Sequence, residues 1–196
     1  MMRILVVSDE ESKYIWDHYD PERFKDVELI ISCGDLKQEY LSFLVTMLPV
    51  PLFYVPGNHD TTYKSKPPEG CVSIDGKLIE YKGIRIMGLG GSNKYSSGDY
   101  QYTESQMRRR LRKFRFKLWR NKGIDILVTH APAYQLGDGE DLCHRGFNCF
   151  VDFMEQYAPK YLLHGHQHLN YGRGQRIHQY KNTRIINGFG YYLLDF

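Results

Sequence analysis

No stretch of this 196-residue sequence is apolar for long enough to cross a bilayer as a helix, which takes about 20 residues. A membrane partner is therefore not expected. Cysteine is scarce, with only Cys33, Cys71, Cys143 and Cys149, and no two of them form a Cys-x-x-Cys pair. Disulfides are disfavoured, and Cys33, at the end of an apolar run, reads as a buried free thiol. An export signal is missing as well, because Met1-Met2-Arg3 leads straight into a four-residue apolar run, too short for the core of a signal peptide. The expected compartment is the reducing cytoplasm. Charge of one sign is also lacking: 26 Lys and Arg stand against 23 Asp and Glu, and a net +3 is too weak to imply nucleic acid. Internal repeats, low-complexity segments and linkers are absent too, so residues 1–196 read as a single domain.

What is present is a set of short apolar runs with polar ends. Ile4-Leu5-Val6-Val7 ends in Ser8-Asp9, Leu29-Ile30-Ile31 in Cys33-Gly34-Asp35, and Leu52-Phe53-Tyr54-Val55 in Pro56-Gly57-Asn58-His59-Asp60. Ile126-Leu127-Val128 ends in Thr129-His130, and Tyr161-Leu162-Leu163 in His164-Gly165-His166-Gln167-His168. Strands buried on both faces read as continuous apolar runs, so these five are expected to share one sheet and to present their polar ends along one edge. Open α/β sheets place their chemistry at that edge. Carboxylates, imidazoles and an amide converging there make a site for two divalent metals.

Between the runs the spacing is mostly helical. Tyr14-Ile15-Trp16 suggests a short helix, and Asp20-Pro21-Glu22 is the cap and first turn of another. Leu41, Leu44, Val45 and Leu48 repeat at helical spacing up to Pro49, giving a βαβ unit with parallel strands. Turns at Asp75-Gly76 and Lys82-Gly83 separate short strands, and Gly90-Gly91-Ser92 reads as turn geometry. Thr103 to Lys122 is the most basic segment, yet Met107, Leu111, Phe114 and Leu118 recur through it. A helix covering the sheet with a solvated outer face is preferred there over a nucleic-acid stripe, because aromatics interleaved for stacking are few. A Gly- and acid-rich loop, Leu136 to Gly146, precedes a helix around Phe150 to Tyr157. Residues 176–180, 183–187 and 191–195 read as antiparallel strands.

Asp9, Gly34-Asp35, Gly57-Asn58-His59-Asp60, His130 and Gly165-His166-Gln167-His168, in this order and each after an apolar run, resemble the calcineurin-like metallophosphoesterase superfamily, and most of all its small, single-domain phosphodiesterase branch. The resemblance implies an α/β fold, a four-layer α-β-β-α sandwich of two mixed β-sheets flanked by helices. It implies that Asp35 bridges two divalent metal ions, with Asp9 and His168 on the first and Asn58, His130 and His166 on the second. Oxygen, imidazole and amide ligands suit Mn²⁺ first, then Fe or Zn²⁺. A water between two such ions is acidic enough to attack phosphorus in line near neutral pH. His59 would then protonate the leaving oxygen, with Asp60 orienting its imidazole and raising its pKa. His18, His144, His164 and His178 fall outside these motifs and read as core or loop residues.

One position departs from the pattern. The superfamily shows Asp-x-His at the first motif, whereas this chain has Asp9-Glu10-Glu11. Glu11 either ligates through oxygen, which favours Mn²⁺, or turns to solvent and leaves the first ion weakly held. The expected substrate is a small phosphodiester such as a cyclic nucleotide, contacted from loops by Tyr63, Asn93, Arg145 and Tyr171. Phosphomonoester or nuclease activity is an alternative, and so is a fold-retaining interaction module without catalysis, like the retromer subunit that resembles this superfamily. A homo-oligomer is compatible with the sequence.

Overall fold

The computed structural model of the chain describes residues 2–169 and 174–196. Its first half lays down β1 (Arg3–Ser8), α1 (Lys13–Trp16), α2 (Pro21–Phe24), β2 (Val27–Ser32), α3 (Gln38–Met47), β3 (Leu52–Tyr54) and β4 (Val72–Ser73). There follow β5 (Lys77–Tyr81), β6 (Ile84–Leu89), the short pair β7 (Ser92–Asn93) and β8 (Gln101–Tyr102), then α4 (Glu104–Arg112) and α5 (Arg115–Arg120). The chain closes with β9 (Ile126–Thr129), α6 (Asn148–Tyr157), β10 (Tyr161–His164), β11 (Ile177–Tyr180), β12 (Thr183–Asn187) and β13 (Gly190–Asp195). Local chemistry sets several boundaries. The Asp20 carboxylate accepts from the Glu22 N–H with Pro21 at the first helical position, and Thr103 and Gln106 form a reciprocal capping box. The basic segment is two helices, not one: Lys113 and Phe114 donate back three residues, to Arg110 and Leu111, and this tightened turn points Phe114 and Leu118 together into the core.

Two mixed sheets form the middle layers. One has the order β13-β1-β2-β3-β4 and the other β11-β12-β10-β9-β6-β5. Strands β1 to β4 are mutually parallel, as are β12, β10, β9 and β6, with β13, β11 and β5 antiparallel at the edges. Two expectations are corrected here. The five apolar runs do not share one sheet, since β1, β2 and β3 lie in the first and β9 and β10 in the second. Nor are the last three strands one antiparallel unit: β11 and β12 pair, but β13 crosses to run antiparallel to β1.

The alternation of side chains along each strand explains the layering. Ile4, Val6, Leu29 and Ile31 face Ile86, Ile126, Val128, Leu163 and Ile186 between the sheets. Leu5, Val7, Ile30 and Leu52 point the other way, under Ile15, Phe24, Tyr40, Leu41 and Leu44 of α1 to α3. Leu89, Leu127, Leu162 and Ile185 lie under Met107, Leu111, Phe114, Leu118, Phe150 and Phe153 of α4 to α6. Both faces of both sheets are covered, and this is why the runs are unbroken in the sequence. Each such side chain contributes about 1.5–3 kcal/mol on burial, so the scaffold beneath the strand ends is rigid. All four cysteines are free thiols, Cys33 and Cys149 being buried, and among the described residues no helix is long and apolar enough to cross a membrane.

Candidate metal centre

The carboxyl ends of the two sheets meet through their loops. The Asp9 and Cys33 N–H groups donate to Gly34 and Val7 carbonyls, tying β1 to β2, and the Gly165 N–H donates to the His130 carbonyl at 2.9 Å, tying β10 to β9. Side chains then bridge the sheets: His130 Nδ1 donates to the Cys33 carbonyl at 2.8 Å, and both Asp9 carboxylate oxygens accept from the His166 N–H at 3.0 and 2.9 Å. Asp9, Asp35 and His166 all adopt left-handed backbone, with φ of 63°, 56° and 67°. Such conformations cost about 1–2 kcal/mol in a side-chain-bearing residue, and they gather where function demands them.

The motif glycines serve this close approach. A Cβ on Gly57 would fall on Asp35 Oδ1, and one on Gly165 would fall on Ser8 Oγ and Asp9 Oδ2. No other residue fits at either place. The sequence shows these glycines only as turn formers; the structure shows them as contact points between motifs.

Four donor atoms converge inside this frame. His130 Nε2 lies 3.0 Å from Asn58 Oδ1, 3.1 Å from His166 Nδ1 and 3.3 Å from Asp35 Oδ2. The far nitrogen of each imidazole is committed, His130 Nδ1 to the Cys33 carbonyl and His166 Nε2 to the Cys143 carbonyl at 2.7 Å. A carbonyl only accepts, so both far nitrogens carry a proton, and in the neutral imidazoles that a metal would select both near nitrogens face inward with lone pairs. The Asn58 amide is likewise oriented, its Nδ2 donating to the Tyr95 hydroxyl at 3.1 Å. One N–H on His130 could satisfy just one of its three neighbours, whereas a cation satisfies all of them and Nε2 besides. The residues therefore fit a metal ion, and this N₂O₂ set suits a borderline transition metal rather than an all-oxygen cage.

The electrostatics agree with that fit. Burial pushes the Asp35 carboxyl up, but the adjoining His130 more than offsets it and Asp35 settles at about 2. Burial likewise pushes His130 down, and the carboxylates of Asp35 and Asp9 bring it back up to about 9. Positive charge is stabilised at this point, whether carried by a proton or by a metal.

The sequence-derived candidates divide by position. Among the described residues, Asp35, His130 and His166 bring ligating atoms within 4.8 Å of one another, and Asn58 joins them. Asp9 lies alongside, bonded to the His166 backbone. Glu11 sits 3.5 Å from Lys37 Nζ, and the exposed His168 ring rests on Phe189 with centroids 5.1 Å apart. Neither is in the converging group. His59 is exposed, with its ring Nε2 4.0 Å from Asp35 Oδ2 and its N–H donating to Asp35 Oδ1 at 2.8 Å. Asp60 does not touch the His59 ring. Its Oδ2 instead accepts from the backbone N–H of Asp35 at 2.8 Å and of Gly57 at 2.7 Å, so it clamps two motif loops together.

The substrate contacts expected from loops need correction at Tyr63, which is buried, with its hydroxyl donating to the Leu36 carbonyl. Asn93 spends its amide on the Arg145 and Gly146 carbonyls at 2.6 and 3.1 Å, holding the 134–147 loop. The Arg145 side chain is exposed, with its guanidinium 3.4 Å from the Glu140 carbonyl. Tyr171 lies outside the described residues. Two contributors were missed by the sequence reading: Tyr95, which fixes Asn58, and Cys143, whose carbonyl fixes His166. Neither ends an apolar run. The Gly- and acid-rich composition of 136–146 was the one available signal, and it marked a loop without marking which carbonyl it would supply.

The chain matches the family model described as calcineurin-like phosphoesterase over residues 2–170. It is 28% identical over 181 residues to the uncharacterized protein MJ1162 of Methanocaldococcus jannaschii, covering 84% of this chain and 78% of that one. The crystal structure of TT1561 of Thermus thermophilus superposes with a TM-score of 0.67 at 16% identity, covering 99% of this chain and 94% of that one. GAP50, the anchor in the inner membrane complex of Plasmodium, superposes with a TM-score of 0.58 at 14% identity, covering 95% and 70%.

Proposed function

The chain belongs to the calcineurin-like phosphoesterase family, and on that premise we propose that it is a dinuclear metal-dependent hydrolase of small phosphodiesters. The observation that carries this reading is the convergence of His130 Nε2, His166 Nδ1, Asn58 Oδ1 and Asp35 Oδ2 on one point. Asp35, Asn58, His130 and His166 would hold one ion, and Asp35 with Asp9 the other, with His168 and Glu11 close in sequence to complete it. When bound, such ions supply Lewis-acid charge to the phosphoryl oxygens and lower the pKa of a coordinated water. The protein's own part is orientation. Carbonyls of Cys33 and Cys143 aim the two imidazoles, Asp60 fixes the Asp35 backbone, and Tyr95 turns the Asn58 oxygen inward.

In this reading His59 is the group that acts on the leaving oxygen. Its ring is 75% exposed and leans over Asp35, so it reaches the substrate from the solvent side and can hydrogen-bond or donate a proton there. The same openness leaves room for a second ester substituent, and it favours a diester over a substrate that needs enclosure. Mn²⁺ is the first ion to try, given two oxygen donors in the built set.

The test is hydrolysis of bis-p-nitrophenyl phosphate by metal-stripped protein titrated with Mn²⁺, beside p-nitrophenyl phosphate and the His59→Ala variant. Metal-dependent turnover of the diester that falls by about 10²-fold or more in His59→Ala is expected. Failure with each of Mn²⁺, Fe²⁺, Co²⁺, Ni²⁺ and Zn²⁺ would overturn it and leave the fold-retaining interaction module. Glu11 beside Lys37 is the observation that keeps that second reading in view.

A further inference from the structure

The outward face of the basic segment between β8 and β9 is used by neither the fold nor the site. On its inner side it is a covering layer, with Met107, Leu111, Phe114 and Leu118 buried. Its outer side carries Phe116 and Trp119, which are 68% and 75% exposed and stand three residues apart on α5. The two rings lean on each other with centroids 5.9 Å apart, making one protruding apolar patch. Around it are Arg112, Lys113, Arg115, Lys117, Arg120 and Lys122, all exposed. Among the described residues none of these six has a carboxylate within ion-pair distance, whereas Arg108 and Arg110, one turn earlier, are paired with Glu104, Asp152 and Asp75.

We propose that the outward face of α5, centred on Phe116 and Trp119 and ringed by unpaired cations, docks on the surface of an anionic phospholipid bilayer. Two large aromatics exposed at this level are costly in water and rarely lie together on a soluble face without a partner. Charge chooses the partner. An anionic surface complements the ring of cations, while a second copy of the chain meeting this face symmetrically would bring like charges together. A nucleic acid would need rings standing apart to admit a base and a groove to track the backbone. Here the rings pack on each other and project from a short helix, as interfacial anchors do, with arginine and lysine stems free to reach headgroups.

The experiment is flotation of the 196-residue chain with vesicles of phosphatidylcholine alone and of equal phosphatidylcholine and phosphatidylserine. In a Trp16→Phe background, Trp119 emission gives a second readout. Binding to the anionic vesicles with a blue shift of Trp119 is expected, and weak binding to the neutral ones. Each cation near such a surface is worth about fivefold in partitioning, so Arg115→Ala with Arg120→Ala should lower it about thirtyfold. Phe116→Ser with Trp119→Ser should lower it at least about tenfold and remove the emission change. Both pairs are solvent-exposed, so circular dichroism should be unchanged. The proposal is overturned if the wild-type protein does not float with anionic vesicles, if either double variant floats as well as wild type, or if polyuridylate binds more tightly than the anionic vesicles and loses that binding in Phe116→Ser with Trp119→Ser.

Discussion

Replacing Asp60 separates two roles that its place beside His59 makes plausible. The sequence suggests a carboxylate that orients the His59 imidazole; the structure shows one that accepts two backbone N–H groups, from Asp35 at 2.8 Å and Gly57 at 2.7 Å, in a 5% exposed position. Asp60→Ala leaves both donors buried without a partner, at about 1–3 kcal/mol each. The expected loss is therefore about 2–6 kcal/mol, close to about 3 °C in melting temperature per kcal/mol for a chain of this size. Asp60→Asn keeps an oxygen acceptor and discards the charge. Burial, and then the neighbouring Asp35 charge, push Asp60 up to about 7. A carboxyl raised in the folded state loses stability as pH rises from its unfolded value near about 4 towards 7, because the unfolded chain ionises more readily. Asp60→Asn lacks this loss, so in chelator its stability relative to wild type should improve over that window. Urea denaturation of metal-stripped proteins at several pH values measures both variants. An Asp60→Ala protein within about 1 kcal/mol of wild type, together with an Asp60→Asn protein whose pH–rate profile shifts, would refute the clamp and restore the imidazole-orienting role.

Three further outcomes follow from the same geometry, the first two under the proposed reading. Gly165→Ala sets a methyl on Ser8 Oγ and Asp9 Oδ2, and it is expected to lower the melting temperature and weaken Mn²⁺ binding in calorimetry; an unchanged titration would show that the loops can part. Tyr95→Phe removes the hydroxyl that holds Asn58 Nδ2, so turnover of the diester should fall by about tenfold or less, the scale of one hydrogen bond, with the fold intact; no change in turnover would mean that the amide is oriented without it. Asp125 receives Arg85 Nε and Nη2 at 2.8 and 2.7 Å, and the Arg85 N–H at 2.8 Å. Those hydrogen bonds hold its carboxyl below the ordinary carboxylate range, so its contribution is present above about pH 4 and is lost as pH falls further. Asp125→Ala should cost about 1–3 kcal/mol at neutral pH, and the gap from wild type should close in acid; a gap independent of pH would contradict the pairing.

The sequence discloses the frame of this molecule better than its joints. Strand existence was legible because both faces of each sheet are covered, which writes β1, β2, β3, β9 and β10 as unbroken apolar runs. The division of those runs between two sheets was not legible, because a run buried on both faces carries no mark of which layer lies on either side. Helical spacing found α3 and the buried stripe Met107, Leu111, Phe114 and Leu118. It passed over Phe116 and Trp119, which fall between the stripe positions and face water. At the site, residues that end strands were visible as candidates, whereas contributors that act through a backbone carbonyl or a loop hydroxyl, Cys143 and Tyr95, carry no spacing signal. Asp60 is visible as a strand-end carboxylate, but its partners are the Asp35 and Gly57 N–H groups, because adjacency in sequence to His59 says nothing of where a carboxylate turns once the backbone bends.

Under the proposed dinuclear reading, the two halves of the donor set are built to different degrees, and the difference bears on how activity should respond to metal. Asn58, His130 and His166 each have their other polar atom tied down, by Tyr95, Cys33 and Cys143, so their ligating atoms need no reorganisation. Asp35 is held by the His59 N–H on one oxygen, which leaves the other facing the group. In the remaining half, Asp9 already spends both oxygens on the His166 N–H, Glu11 lies with Lys37, and His168 rests on Phe189. Each of these contacts has to be loosened or shared before the side chain can ligate, and that cost is subtracted from binding. One ion should therefore bind tightly and the other weakly. Under the proposed reading, turnover in the Mn²⁺ titration should follow the weaker of the two, and the missing imidazole at Glu11 sets where that midpoint falls.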